Sequence, residues 1–169
     1  MPTLSVVMIV KDETRCLAEC LDSIRDIADE IVIGDTGSLD DTVAVAHRYA
    51  AKVHTVPWRD DFAAARNEVL QHATGDWLLH LDADEVLDPA SAARIREIVD
   101  NDDADAIEVI LANYSDDLRA WRWVPVDPAS TMSRGHAGYV AVGLLRLFRN
   151  HRGFEYREAV HENITESVI

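Results

Sequence analysis

From Leu4 to Leu81, short apolar runs alternate with stretches of helical period, and few folds accept that alternation. Leu4–Val10 (LSVVMIV), Glu30–Gly34 (EIVIG), Val53–Val56 and Trp77–Leu81 (WLLHL) are the apolar runs. A strand covered on both faces reads as a continuous apolar run rather than an alternating one. Between these runs, Leu17, Cys20, Leu21, Ile24 and Ile27 fall at helical spacing, as do Val43, Ala46 and Ala50. Ala63–His72 reads as a third helix, with Val69 and Leu70 facing inward. Pro89 suits the first turn of a fourth helix, which carries Ile95, Ile98 and Val99. This order predicts an α/β domain with a mainly parallel central sheet and helices on both faces. The remaining segment differs. Ala106–Ala112 reads as a strand, residues 113–138 as a long loop or hairpin near the site, and Tyr139–Arg149 as one or two strands. Phe154–Arg157 is a short piece, followed by HENI at His161–Ile164.

Each apolar run ends in a polar cluster. VKDE brings Lys11, Asp12 and Glu13; GDTGSLDDT brings Asp35, Gly37, Ser38, Asp40 and Asp41; DDFAAARN brings Asp60, Asp61, Phe62, Arg66 and Asn67; LDADE brings Asp82, Asp84 and Glu85. Parallel strands place their carboxyl ends on one edge, so the clusters converge on one crevice, where open α/β sheets bind ligands. Asp-x-Asp is poor packing material, because an ionised carboxylate is costly to desolvate unless it is paired or on a metal. It reads either as a site for a divalent cation and the phosphates it carries, or as a solvated turn. Asp35-Thr-Gly-Ser reads either as a ligand contact or as a turn and helix cap, Ser38 and Asp40 being good capping types. Lys11–Glu13 is a ligand contact or a solvated loop, and Arg66 a planar fork for a ligand or a surface arginine. His161-Glu162 is a surface pair or, beside an acidic metal site, a useful imidazole and carboxylate.

Charge removes other classes. Thirty-one acidic residues against sixteen basic ones give a net charge of −15, which opposes binding to a nucleic acid polymer or to anionic lipid. The chain has 169 residues, enough for one domain with a real core. No apolar run is long enough to span a bilayer and no signal peptide pattern is present, so a cytoplasmic location is expected. Cys16 and Cys20, four apart on a helix, suit neither an unstrained disulfide nor a zinc site and read as packing residues. There is no G-x-G-x-x-G, no P-loop and no G-x-S-x-G elbow.

Taken in order, VKDE, EIVIGDTGSLDDT, WRDDFAAARN, GDWLLHLDADE, LLRLFRN and FEYREAVHENI resemble the motifs of glycosyltransferase family 2, in a subgroup with K-x-E, D-T-G-S, F-x-x-A-R-N, L-D-A-D-E and V-H-E. The resemblance implies a GT-A fold, a three-layer Rossmann-like sandwich. Residues 1–169 would form a single domain, with 1–100 as the nucleotide-sugar half and 101–169 as the acceptor part. It implies a nucleotide-diphospho-sugar donor, a Mn²⁺ or Mg²⁺ ion, and usually inversion at the anomeric carbon. It also implies an acceptor hydroxyl on a glycan, lipid-linked sugar or protein, as in cell-envelope glycan biosynthesis. Carried over by position, Glu13, Asp35 and Arg66 would hold the nucleoside, and Asp82 would approach the ribose or the metal shell. Asp84 would ligate the metal, His161 would add a ligand or touch the diphosphate, and Glu162 would be the general base. Neither the later Glu-Asp pair of many members nor the Q-x-x-R-W of processive synthases is present, so a non-processive enzyme is expected. The chain stops where acceptor-binding elements often begin, which raises a shortened chain as an expectation. The alternatives are a module that binds a nucleotide sugar without transferring it, or an inactive truncated domain.

Overall fold

The computed structural model describes residues 1–101, 103–127, 130–160 and 162–168. Its elements are β1 (Leu4–Val10), α1 (Leu17–Ile24), β2 (Glu30–Asp35), α2 (Thr42–Arg48), β3 (Lys52–Thr55), α3 (Phe62–Leu70) and β4 (Trp77–His80). There follow α4 (Pro89–Asn101), β5 (Ala106–Ser115), β6 (Trp123–Pro125), a 3-10 turn at Thr131–Ser133, β7 (Gly138–Arg149) and α5 (Thr165–Val168).

The chain forms two compact units. The first holds Met1–Ile107 and Arg146–Ile169. In it β3, β2, β1 and β4 lie side by side and parallel, and the end of β7 returns antiparallel beside β4, with Trp77 opposite Arg149. The predicted α/β class and mostly parallel sheet are therefore observed. The path from β1 to β2 to β3 steps one way, and the crossover from β3 to β4 steps back past β1. Right-handed crossovers then put α3 on the opposite face from α1 and α2. Leu4, Val6, Val7, Met8 and Val10 of β1 are buried, and Leu17, Cys20, Leu21 and Ile24 form the inner stripe of α1. Gly34 lets α3 approach the sheet: a Cβ there would lie 2.3 Å from Cγ2 of Val69.

The second unit, Glu108–Leu145, holds most of β5, all of β6 and the first part of β7. Within the loop or hairpin expected over 113–138, β6 pairs antiparallel with β7 through Trp123 and Val140. Gly138 is needed there, because a Cβ would sit 2.2 Å from the Trp123 indole ring. That indole donates its Nε1–H to the Ser115 carbonyl at 2.8 Å. The two strands follow one another in the chain and pair antiparallel, which is the hairpin alternative of that segment. Tyr139–Arg149 is one strand. Phe154–Arg157 is not a strand but leads to an isolated bridge between Arg157 and Asn163.

Candidate functional site

The four parallel strands end on one rim, and the loops that follow carry the clusters. The first two loops are stitched together. The Asp12 N–H donates to Ser38 Oγ at 3.0 Å, Leu39 N–H to Asp12 Oδ1 at 2.7 Å, Glu13 N–H to Thr42 Oγ1 at 2.7 Å and Thr14 N–H to Asp40 Oδ2 at 3.2 Å. Ser38 thus does not cap α2. Asp40 accepts from the Thr42 N–H at 2.9 Å, inside the first turn. Asp35 is buried at the end of β2, and its carboxylate accepts from Gly37 N–H at 3.2 Å and Ser38 N–H at 3.1 Å. The turn reading of this cluster is realised in its geometry. Gly37 sits at φ 110°, a backbone region that favours glycine. Glu13 accepts from the Cys16 thiol at 3.0 Å, and burial beside Glu13 pushes that thiol up to about 11.

The other half of the site is a network of charges around Asp82. Asp61 opens α3 by accepting from the Ala64 N–H at 2.9 Å, and small Ala63 and Ala65 let the helix pack close. One turn further in, the buried Arg66 side chain donates through Nε to Glu162 Oε1 at 2.7 Å and through Nη2 to Asp82 Oδ1 at 3.0 Å. From β7, Arg146 Nη2 donates to Asp82 Oδ2 at 3.1 Å and to Glu85 Oε1 at 3.0 Å. From β4, His80 Nε2 lies 3.1 Å from Asp82 Oδ1. Burial alone would raise the Asp82 carboxyl, but the hydrogen bond from His80 and the Arg66 and Arg146 cations outweigh it and hold it well below the carboxylate range. Burial raises Glu85, partly offset by Arg146. Nη1 of both arginines is buried and has no partner among the described residues. Each is a donor left for a ligand or water to satisfy.

Asp84 is exposed in the turn closed by Glu85 N–H donating to the Asp82 carbonyl at 3.0 Å. Its carboxylate accepts no hydrogen bond among the described residues. His161 lies outside the described residues. Among those described, no three His, Cys, Asp or Glu side chains converge on a point that would cage a metal. The structure thus brings Arg66, Asp82 and Glu162 into direct contact and puts Glu13, Asp35 and Asp84 on the loops of the same rim. Sequence reasoning missed Arg146, His80 and Tyr156. The signal for His80 was a polar residue ending an otherwise apolar run. A cleft of about 600 Å³ opens beside Glu30, Lys52 and Tyr49, at the opposite ends of β2 and β3. It holds none of these residues, and the buried charges favour the carboxyl rim.

His80 makes the fold sensitive to acid. Its burial pushes the imidazolium down to about 3, against 6.5 for a free histidine. Between those values the unfolded chain binds a proton that the native one does not, so stability falls as pH falls from 6.5 towards 3. The loss is about 1 kcal/mol per pH unit. Urea unfolding at about pH 7 and about pH 4.5 should show a drop about 2 kcal/mol larger in the native chain than in His80→Gln. Equal drops would remove His80 as the cause.

An α/β unit with a mixed, mostly parallel sheet and an acidic rim of this kind is the GT-A arrangement. The glycosyl transferase family 2 model matches residues 5–164, and the chain belongs to that family. A TPR repeat-containing protein of Synechococcus elongatus is 37% identical over 169 residues, which are 100% of this chain and 37% of that protein. Glycosyltransferase SunS of Bacillus subtilis is 24% identical over 95% of this chain and 34% of its own length. The chain thus spans little more than a third of these relatives. Among solved structures, S. aureus TarS 1–349 in complex with UDP-GlcNAc superposes with a TM-score of 0.55 at 22% identity, over 62% of this chain and 33% of that one, a likeness of fold. No helix among the described residues is long and apolar enough to cross a membrane.

Proposed function

We propose that this chain binds a nucleoside-diphosphate sugar at the carboxyl rim and transfers the sugar, with inversion, to an acceptor hydroxyl. The observation that carries the reading is the contact of Arg66 with both Asp82 and Glu162 at 3.0 and 2.7 Å, in a chain of this family. A catalytic centre needs fixed charges that need not reorganise during reaction, and this network supplies them. Glu13, Asp35, Arg66 and Asp82 would hold the nucleoside and ribose. The unsatisfied guanidinium donors of Arg66 and Arg146 suit an anionic donor. Glu162 would take the proton of the acceptor hydroxyl, since Arg66 engages only its Oε1.

A Mn²⁺ or Mg²⁺ ion fits the residues present. Such ions bind through one or two carboxylates plus substrate phosphates rather than in an all-protein cage. The exposed, unpaired Asp84 is that kind of ligand, whereas Asp82 is committed to its arginines. His161 remains a second proposed ligand. When bound, the ion would neutralise charge on the leaving diphosphate as a Lewis acid.

The test is to incubate the chain with a panel of nucleotide sugars and Mn²⁺ and to measure released nucleoside diphosphate. No release with any donor, acceptor sugars being supplied, would overturn transfer. Asp84→Ala should weaken Mn²⁺-dependent nucleotide binding by roughly tenfold or more in calorimetry. Unchanged affinity would remove Asp84 as the metal ligand.

A further inference from the structure

Glu162 reaches Arg66 because the turn that carries it is tied down at its root. Arg157 and Asn163 close the neck of that turn with two backbone hydrogen bonds, 3.1 and 3.4 Å long. Tyr156, just before the neck, is buried. Asn67 grips its backbone from both sides. The Tyr156 N–H donates to Asn67 Oδ1 at 2.7 Å, and Asn67 Nδ2–H donates to the Tyr156 carbonyl at 2.9 Å. The Tyr156 hydroxyl lies 2.7 Å from His80 Nδ1, with the rings edge to face at 90°. Further along, Phe62 N–H donates to the Ala159 carbonyl at 3.0 Å. Helix α3 therefore holds this turn at Phe62, Arg66 and Asn67.

The proton positions follow from chemistry. An ionised Asp82 only accepts, so His80 Nε2 carries the hydrogen and donates to it. In a neutral ring Nδ1 is then an acceptor, and the Tyr156 O–H donates to it. The ring is neutral because of its burial. One hydrogen-bonded chain, Tyr156 to His80 to Asp82, thus joins the root of the Glu162 turn to the carboxylate at the centre of the site.

We infer that Asn67 and His80 are positioning residues, which latch Tyr156 and so hold Glu162 against Arg66 and Asp82 against both arginines. The catalytic meaning of the latch rests on Glu162 being the base, but its existence is tested without turnover. In Asn67→Ala, amide hydrogen exchange at Arg157 and Asn163 should accelerate by about tenfold, while β1 and β4 amides stay as in the native chain. In ¹⁵N spectra His80 should be protonated on Nε2, and its Nδ1 resonance should move towards the unbonded value in Asn67→Ala, although Asn67 shares no hydrogen bond with His80. Asn67→Asp keeps the acceptor for Tyr156 N–H and loses the donor, so it should give a smaller change of both signals and serves if the alanine variant does not fold. Native exchange rates and a native Nδ1 resonance in the variants would overturn the latch, as would a native His80 protonated on Nδ1. A Glu162→Gln chain with full turnover would sink the base and leave these signals untouched, so the two failures are distinguishable.

Discussion

Glu162→Gln is expected to lose turnover by about 10²–10⁴-fold, the usual contribution of a positioned general base, while nucleotide affinity stays native. Glutamine is nearly isosteric, and its carbonyl oxygen still accepts from Arg66 Nε where Oε1 does, at 2.7 Å. The buried guanidinium therefore keeps a partner and the fold is spared the cost of stranding it. What disappears is the second carboxylate oxygen, which has no partner among the described residues and which the proposed base would turn to the acceptor hydroxyl. The measurement is nucleoside diphosphate release under saturating donor, paired with calorimetry of nucleotide binding in the presence of Mn²⁺. Turnover at the native level would eliminate Glu162 as the base. Equal loss of turnover and affinity would turn it into a donor-binding residue.

Much of this site was legible because parallel strands buried on both faces have no choice but to be apolar, so the points where polarity returns mark the rim. Asp35 and Asp82 stand at such points, while Arg66 was marked by the acidic cluster that opens its helix. Arg146 was marked only as part of the motif LLRLFRN, with no role to be read for it, since nothing in that run tells which of its two arginines turns to the site. Its role depends on β7 returning antiparallel beside β4, with Leu79 opposite Leu147. No local period encodes that pairing. His80 was hidden for a similar reason: its partner Tyr156 lies seventy-six residues away. Ser38 was a candidate cap by residue type alone, whereas the neighbouring loop offered it the Asp12 amide. The loop ends of the first two strands are cross-linked by such exchanges, which residue type alone does not specify.

Arg66→Met should destabilise the chain by about 3–5 kcal/mol, the range for removing one partner of a buried ion pair. For a chain of this size that corresponds to a fall in Tm of roughly 6–20 °C. The Arg66 side chain is 9% exposed, and Glu162 and Asp82 are 14% and 31% exposed. Methionine fills much of the same volume, so the loss is not chiefly a cavity. Asp82 keeps Arg146 and His80, but Glu162 is left with a desolvated charge and no cation among the described residues. Arg66→Lys should recover little, because one ammonium cannot reproduce the fork that reaches two carboxylates at once. The decisive comparison is the double variant Arg66→Met/Glu162→Gln. Neutralising the stranded carboxylate should return about 0.5–3 kcal/mol of the loss, a coupling of the size expected for directly bonded side chains. Denaturant unfolding of the four chains measures it. A double variant less stable than Arg66→Met by the full cost of Glu162→Gln would mean that the two side chains act independently, and that Arg66 supports the fold by packing rather than by charge.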